Sequence, residues 1–170
     1  MIALLRRTLL LPFLLTACNP NRKAPVDPAT LQTPAGEAAL RYIVEHCPKK
    51  GEAELAVIGI GDDLAKPLPA FVERFKDVPG LTFIDYSRVV AGKAGNVWRR
   101  FDETTNKPVL ELQISKLTET KAGVQEVVAA WAWMDDAGRS RLEVKEKAEG
   151  GYEVRELEKI PVPNKPPPGS

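Results

Sequence analysis

Few residues of this chain could do chemistry, and they do not form a familiar catalytic pattern. The sequence has one histidine, His46, so any Ser-His-Asp or Cys-His arrangement would have to use it. On a helix, its neighbours Glu45 and Cys47 would each point about 100° away from it, so the three side chains could not meet at one metal ion. We expect His46 to contact a backbone carbonyl or the helix dipole instead.

The acidic residues do not match a known site either. The segment GIGDD at 59–63 lacks the third glycine of a dinucleotide fingerprint and the Gly-Lys-Ser/Thr of a phosphate loop. The pair at 135–136 lacks the alternate-oxygen spacing of a calcium loop and is typical of a hairpin turn. We therefore predict no metal and no cofactor. Carboxylates such as Asp85 and Glu111 could still converge in three dimensions for acid–base catalysis.

The three tryptophans are candidate pocket or contact residues. Trp131 and Trp133 share one face of the strand candidate VQEVVAAWAWM. If that face packs against helices, both are core, which the pattern favours; if it lines a concavity, both could hold an apolar ligand. Trp98 lies beside two arginines, which suits a protein contact, but a half-buried strand is the favoured interpretation.

Composition limits the possible partners. The 170-residue chain has 24 Lys+Arg against 23 Asp+Glu, so its charge does not favour nucleic acid or an anionic membrane surface. It is 44% hydrophobic and 28% charged, as in ordinary globular proteins, and its length suggests one domain. Most of its prolines lie near the two ends, which indicates that both ends are outside the core.

The first residues have the layout of an export signal. A basic pair precedes the apolar run TLLLPFLL, which is too short to span a bilayer as a helix. Small or polar residues follow. The run ends in Leu15, Thr16, Ala17 and Cys18.

These four residues resemble the lipobox of bacterial lipoproteins. The resemblance implies cleavage between Ala17 and Cys18, with acyl chains on the thiol and new amino terminus of Cys18 that hold the protein at a membrane. Asn19, rather than Asp, follows the cysteine, and by the same resemblance this favours the outer membrane, with the domain facing the periplasm. The alternative is an ordinary signal peptide with an incidental cysteine.

The sequence is accordingly divided into four parts. Residues 1–17 are the predicted signal peptide, and 18–34 the lipidated cysteine and a flexible tether. A single domain is expected over 35–162, followed by a Pro-rich disordered tail at 163–170. With Cys18 assigned to lipid, Cys47 is left without an intrachain partner, and its helix position favours a buried core residue.

The hydrophobic period changes along the domain. It predicts a helix capped by Thr33 and ended by Pro48, a buried strand at 53–61 and a further helix from Leu68. After Gly80 the period is near 2, which predicts strands. Residues 96–115 are interpreted as a hairpin, and two charged strands follow, with mixed charges on a solvated face.

This order predicts an α+β fold with N-terminal helices packed on a curved, mainly antiparallel sheet. The layout of elements is similar to that of cystatin-like and NTF2-like folds, in which a curved sheet wraps a helix.

Three functions are compatible with these features. The first is a non-enzymatic, lipid-anchored cell-envelope protein whose domain binds a partner protein or supports an envelope assembly. The second is a carrier of a small apolar ligand, with a pocket between helix and sheet lined by Trp131 or Trp133. The third is a hydrolase or isomerase that uses carboxylates alone.

Overall fold

The computed structural model describes residues 27–94 and 97–162, with the backbone alone at 93, 94, 97 and 98. Two α-helices, α1 (Pro34–His46) and α2 (Pro69–Glu73), precede most of the strands. The strands are β1 (Leu55–Ile60), β2 (Thr82–Phe83), β3 (Val89–Ala94), β4 (Val97–Asp102), β5 (Val109–Lys121), β6 (Val124–Trp133), β7 (Asp136–Glu146) and β8 (Tyr152–Lys159).

Six of these strands form one mixed, mainly antiparallel sheet in the order β2-β1-β5-β6-β7-β8. Strand β1 runs parallel to both β2 and β5, whereas β5 to β8 pair antiparallel with their neighbours. Strands β3 and β4 form a separate antiparallel pair. Helix α1 packs on the face of β5 to β8. The predicted α+β class, with an N-terminal helix on a mainly antiparallel sheet, is confirmed.

Helix α1 begins where its N-terminal capping residues predict. The Thr33 hydroxyl accepts a hydrogen bond from Gly36 N at 3.2 Å, and Pro34 occupies the first turn, where its missing N–H costs nothing. The apolar stripe of the helix faces the sheet. Its buried members are Ala39, Leu40, Ile43 and Val44.

Side chains fill the space between α1 and the sheet. Leu110, Leu112 and Ile114 of β5 are fully buried, as alternation along the strand predicts, and Leu40 of the helix is buried equally. Each such side chain contributes about 1.5–3 kcal/mol by leaving water. A closed core therefore lies beneath the middle of α1, and any groove must lie at its sides.

The folded part extends before the expected boundary at residue 35. Asp27 caps a short 3-10 helix, Pro28–Leu31, by accepting a hydrogen bond from Ala29 N at 2.9 Å. Leu31 at the end of this turn is fully buried in the core. The last residues assigned to the tether therefore belong to the domain, because Leu31 supplies apolar area that the core uses.

The hairpin predicted over 96–115 is wrong. Strand β4 pairs with β3, for example Phe101 with Val90, and a single bridge between Phe101 and Pro108 connects it towards β5. Strand β5 instead has β1 on one side and β6 on the other. Both of its hydrogen-bonding edges are occupied, so it cannot take β4 as a hairpin partner.

The segment between β1 and β3 is less regular than its periodicity predicts. Helix α2 has only five residues, although Phe71 and Phe75 are buried as expected. The strand expected in LTFIDYS is reduced to Thr82–Phe83, because the chain turns into a 3-10 helix at Tyr86–Arg88. This short β2 is one edge of the sheet and β8 is the other.

Candidate functional site

A cleft of about 580 Å³ opens between the C-terminal half of α1 and the sheet. The helix supplies one wall, β6 and β7 supply the floor, and β8 with the residues after it supplies the other wall. The lining residues on which its chemistry depends are Tyr42, His46, Trp131, Ser140, Glu156 and Lys159.

The floor of the cleft is an indole ring lying over a glycine. Trp131 in β6 is directly opposite Gly138 in β7. A β-carbon at position 138 would lie 2.4 Å from Nε1 of Trp131, so any side chain there would displace the ring. The glycine therefore makes room for an aromatic surface that is half-buried and lines the cleft.

The helix wall is a stacked aromatic pair. The rings of Tyr42 and His46 lie 3.9 Å apart, centre to centre, and are tilted by 21°. Nδ1 of His46 lies 2.8 Å from the carbonyl oxygen of Tyr42. The expected contact of His46 with a backbone carbonyl is therefore confirmed. No hydrogen bond joins His46 to Ser140 in the described part of the chain.

A buried hydroxyl and a carboxylate form the polar centre of the cleft. Ser140, which is 7% exposed, donates a hydrogen bond of 2.5 Å to Oε1 of Glu156. Glu156 pairs with Leu142 and continues the inward alternation of Tyr152 and Val154. A β-bulge follows it, because Arg141 pairs with Glu158 and Leu157 is the extra residue. Bulges commonly redirect side chains near binding sites.

The same bulge places a cation on the cleft wall. Lys159 pairs with Ser140 across the strands, so their side chains lie on the same face of the sheet. Glu158 faces the opposite side, where it forms an ion pair with Arg141 at 2.9 Å. Within the described residues, Lys159 makes no ion pair, and its ammonium is more than 4.0 Å from the Glu156 carboxylate.

A second, shallower groove of about 430 Å³ continues along α1 towards its N-terminus. It shares Tyr42 with the cleft, and Tyr152 and Val154 of β8 form its opposite side. Arg41 at its edge forms ion pairs with Glu37 and Asp77, and the hydrogen bond that it donates to Asp77 raises the pKa of the guanidinium. Together the cleft and groove follow the whole β8 side of the helix.

The other candidate residues have different positions. Trp133 is 6% exposed and belongs to the core, as the favoured interpretation predicted. Trp98 lies in β4, and its side chain is outside the described residues; Ala17 and Cys18 are outside them as well. Cys47 is a buried free thiol whose pKa is raised by burial, which confirms its expected core position.

The acids proposed for carboxylate chemistry are held separately by cations. Asp85 forms an ion pair with Lys66 at 2.7 Å, and this contact together with Ser87 lowers the pKa of the carboxyl to about 2. Glu111 accepts hydrogen bonds from Arg100 at 3.1 Å and from the hydroxyl of Tyr86 at 3.2 Å. Asp85 lines a separate pocket of about 190 Å³, and neither carboxylate lines the cleft or the groove.

Two other kinds of feature are absent from the described residues. No three His, Cys, Asp or Glu side chains lie together there in a way that could hold a metal ion. No helix within 27–94 and 97–162 is long and apolar enough to cross a membrane.

Sequence reasoning missed the polar residues of the cleft. The charged strands at the C-terminus were interpreted as a solvated face, which hid Ser140, Glu156 and Lys159. One signal was available: in YEVRELEK, the inward alternation of Tyr152 and Val154 reaches Glu156 at the next position. A carboxylate on the inward face of a strand is a candidate binding residue.

No protein-family model, no curated protein and no solved structure matches this chain. The similarity of layout to cystatin-like and NTF2-like folds stays a prediction.

Proposed function

We propose that this protein is a non-enzymatic, lipid-anchored component of the bacterial cell envelope whose domain binds a partner protein along the β8 side of α1. Cys18 carries the acyl chains, and Asn19 favours the periplasmic face of the outer membrane. The observation that supports partner binding best is the open surface beside a filled core. Buried side chains pack together beneath the middle of α1, while the groove exposes aromatic and apolar side chains, among them Tyr152.

The anchor makes a simple prediction. Replacement of Cys18 by Ala removes the thiol that accepts the first acyl chain, so the protein should leave the membrane fraction and lose labelling by a palmitate analogue. The measurement is fractionation of cells grown with that analogue. A matched Cys47→Ala variant should remain labelled and membrane-bound, since that thiol is buried. A Cys18→Ala protein that is still labelled and still sediments with membranes would contradict lipidation.

The partner surface can be tested with matched helix variants. Ala38 lines the groove on α1, whereas Ala70 is exposed on α2 and lies outside the groove and the cleft. An arginine at position 38 should obstruct a protein docked there, and the same change at position 70 should not. Arginine is a good helix former, so neither change should unfold its helix.

The measurement is cross-linking of the full-length protein in intact cells, followed by mass spectrometry. We expect a defined envelope protein to cross-link to the native protein and to Ala70→Arg, with at least about a tenfold loss for Ala38→Arg, the effect of losing about 1.4 kcal/mol of binding energy. Equal cross-linking of both variants would show that the groove is not the partner surface.

A second candidate function, small-ligand binding, is favoured by one observation. Trp131 lines a cleft whose volume is within the usual range for small-molecule sites, about 300–1,000 Å³. Native mass spectrometry of the full-length protein, released from detergent, tests this function directly. A small molecule that stays bound would support a carrier, and its absence would leave partner binding as the better proposal.

A further inference from the structure

We propose that the cleft recognises a zwitterionic amino-acid group, with the ammonium bound by Glu156, the carboxylate bound by Lys159, and an apolar side chain against Trp131 and Tyr42. This inference rests on the second candidate function, small-ligand binding in the same cleft. It narrows the ligand from an apolar molecule to one that carries both charges beside an apolar body.

The acidic half of the site is preorganised. The carboxylate of Glu156 is held by Ser140, a buried hydroxyl that donates to one oxygen and leaves the other oxygen available to a ligand. Glu156 is itself half-buried, so a bound ammonium would be partly shielded from water. Charge-assisted hydrogen bonds are shorter and about twice as strong as neutral ones.

The basic half of the site is an exposed lysine that makes no ion pair within the described residues. Lys159 lies three residues along the strand from Glu156, about 10 Å of extended chain less the shortening of the bulge. Both long side chains reach the same cleft, and they do not neutralise each other by direct contact. Two opposite charges that line one cleft without pairing fit a ligand that separates them.

The aromatic surfaces define the remaining part of the ligand. Trp131 forms a flat floor over Gly138, and Tyr42 forms a wall that is stiffened by its stacking with His46. An aromatic or branched aliphatic side chain can lie between them. The cleft volume, about 580 Å³, leaves space for additional atoms, such as those of a second residue in a short peptide.

The test uses three probes that share a phenyl ring. L-phenylalanine carries both charges, phenethylamine carries only the ammonium, and 3-phenylpropanoate carries only the carboxylate. Binding to the full-length protein in detergent micelles is followed by the NMR shift of the Trp131 indole N–H at constant ionic strength. We expect phenylalanine to bind at least about tenfold more tightly than either single-charge probe, since each charge-assisted contact is worth about 1.5–3 kcal/mol, or roughly ten- to hundredfold.

Two variants separate the two charges. Glu156→Gln keeps an oxygen that accepts from Ser140. It should lower the affinity for phenylalanine about tenfold and leave the affinity for 3-phenylpropanoate unchanged. Lys159→Gln should lower the affinity for phenylalanine to a similar extent and leave the affinity for phenethylamine unchanged. Glu153→Gln, an exposed change on the same strand, is the matched control and should leave all three affinities unaltered.

The possible results distinguish the zwitterion proposal from the small-ligand-binding function on which it rests. If native mass spectrometry shows a retained molecule but all three probes bind equally, or Glu156→Gln and Lys159→Gln behave like the control, the zwitterion proposal is overturned and the carrier function stands. If no molecule is retained and phenylalanine does not shift the Trp131 signal, both fail. Selective loss in the two variants supports the inference.

Discussion

Replacement of Leu31 by Ala should lower the free energy of unfolding by about 2–5 kcal/mol, the usual cost of truncating a fully buried leucine. Leu31 is 0% exposed and packs into the main core, although it precedes α1. Its carbonyl oxygen also lies so close to Gly36 that a β-carbon there would be only 2.2 Å away. The turn at 28–31 is therefore joined closely to the first turn of the helix.

The measurement is urea unfolding of the full-length protein, followed by tryptophan fluorescence. Leu68→Ala is the matched control, because Leu68 is 56% exposed and its truncation should change stability by no more than about 0.5 kcal/mol. If the two variants are equally stable, Leu31 is not a core residue and the domain does begin near residue 35, as the sequence-based boundary had it.

The Leu31 boundary shows where sequence patterns are weak. A single leucine among prolines and polar residues carries no period, so the segment was assigned to the tether. By contrast, α1 was predictable because Thr33, Pro34 and the apolar stripe all indicate the same helix. Agreement between independent local signals, rather than hydrophobicity alone, made that prediction reliable.

Strand pairing was harder to predict than strand position. The alternation of Leu110, Leu112 and Ile114 showed which side of β5 is buried, and that was correct. Alternation does not identify the neighbouring strand, however. The parallel pairing of β1 with β5 joins residues far apart in sequence, such as Leu55 with Val109, and no local turn signal encodes such a contact.

The cleft could be predicted only in part. Trp131 was identified as a possible pocket residue because its type and face were visible in the sequence. Lys159 was not, because its position depends on the bulge at Leu157, which shifts the register of β8 by one residue. A one-residue shift decides which charges face the helix, and mixed charge along YEVRELEK does not reveal it.

Asp102, at the end of β4, is the subject of the second stability prediction. Asp102 is fully buried, and Arg88 donates to both of its carboxylate oxygens, at 2.9 and 2.8 Å. The amide and hydroxyl of Thr105 donate to it as well, at 3.1 and 2.6 Å. This carboxylate therefore connects the end of β4 to the residue before β3 and stabilises the turn at Thr105. The hairpin prediction assigned this turn to a pairing of β4 with β5.

We expect Asp102→Asn to destabilise the protein several times more than Asp77→Asn, whose side chain is 70% exposed in its ion pair with Arg41. An amide accepts with one oxygen only, so at this fully buried position its NH2 group would face donors of Arg88 or Thr105 instead of accepting from them. Urea unfolding measures the global effect. Hydrogen exchange of the β3 and β4 amides should accelerate more than that of β6, because the loss is local to this pair.

The effect of Asp102→Asn should also depend on pH. Hydrogen bonds from Thr105 and Arg88 lower the pKa of the Asp102 carboxyl in the folded protein. Its contribution is therefore complete above the pKa of the unfolded chain, about 4, and it is lost as the pH falls through the lower folded value. The stability difference between native protein and variant should stay constant from neutral pH to about pH 4 and shrink below it. A difference that persists unchanged at still lower pH would mean that the charge of Asp102 does not hold the turn, and that the shape of its side chain alone does.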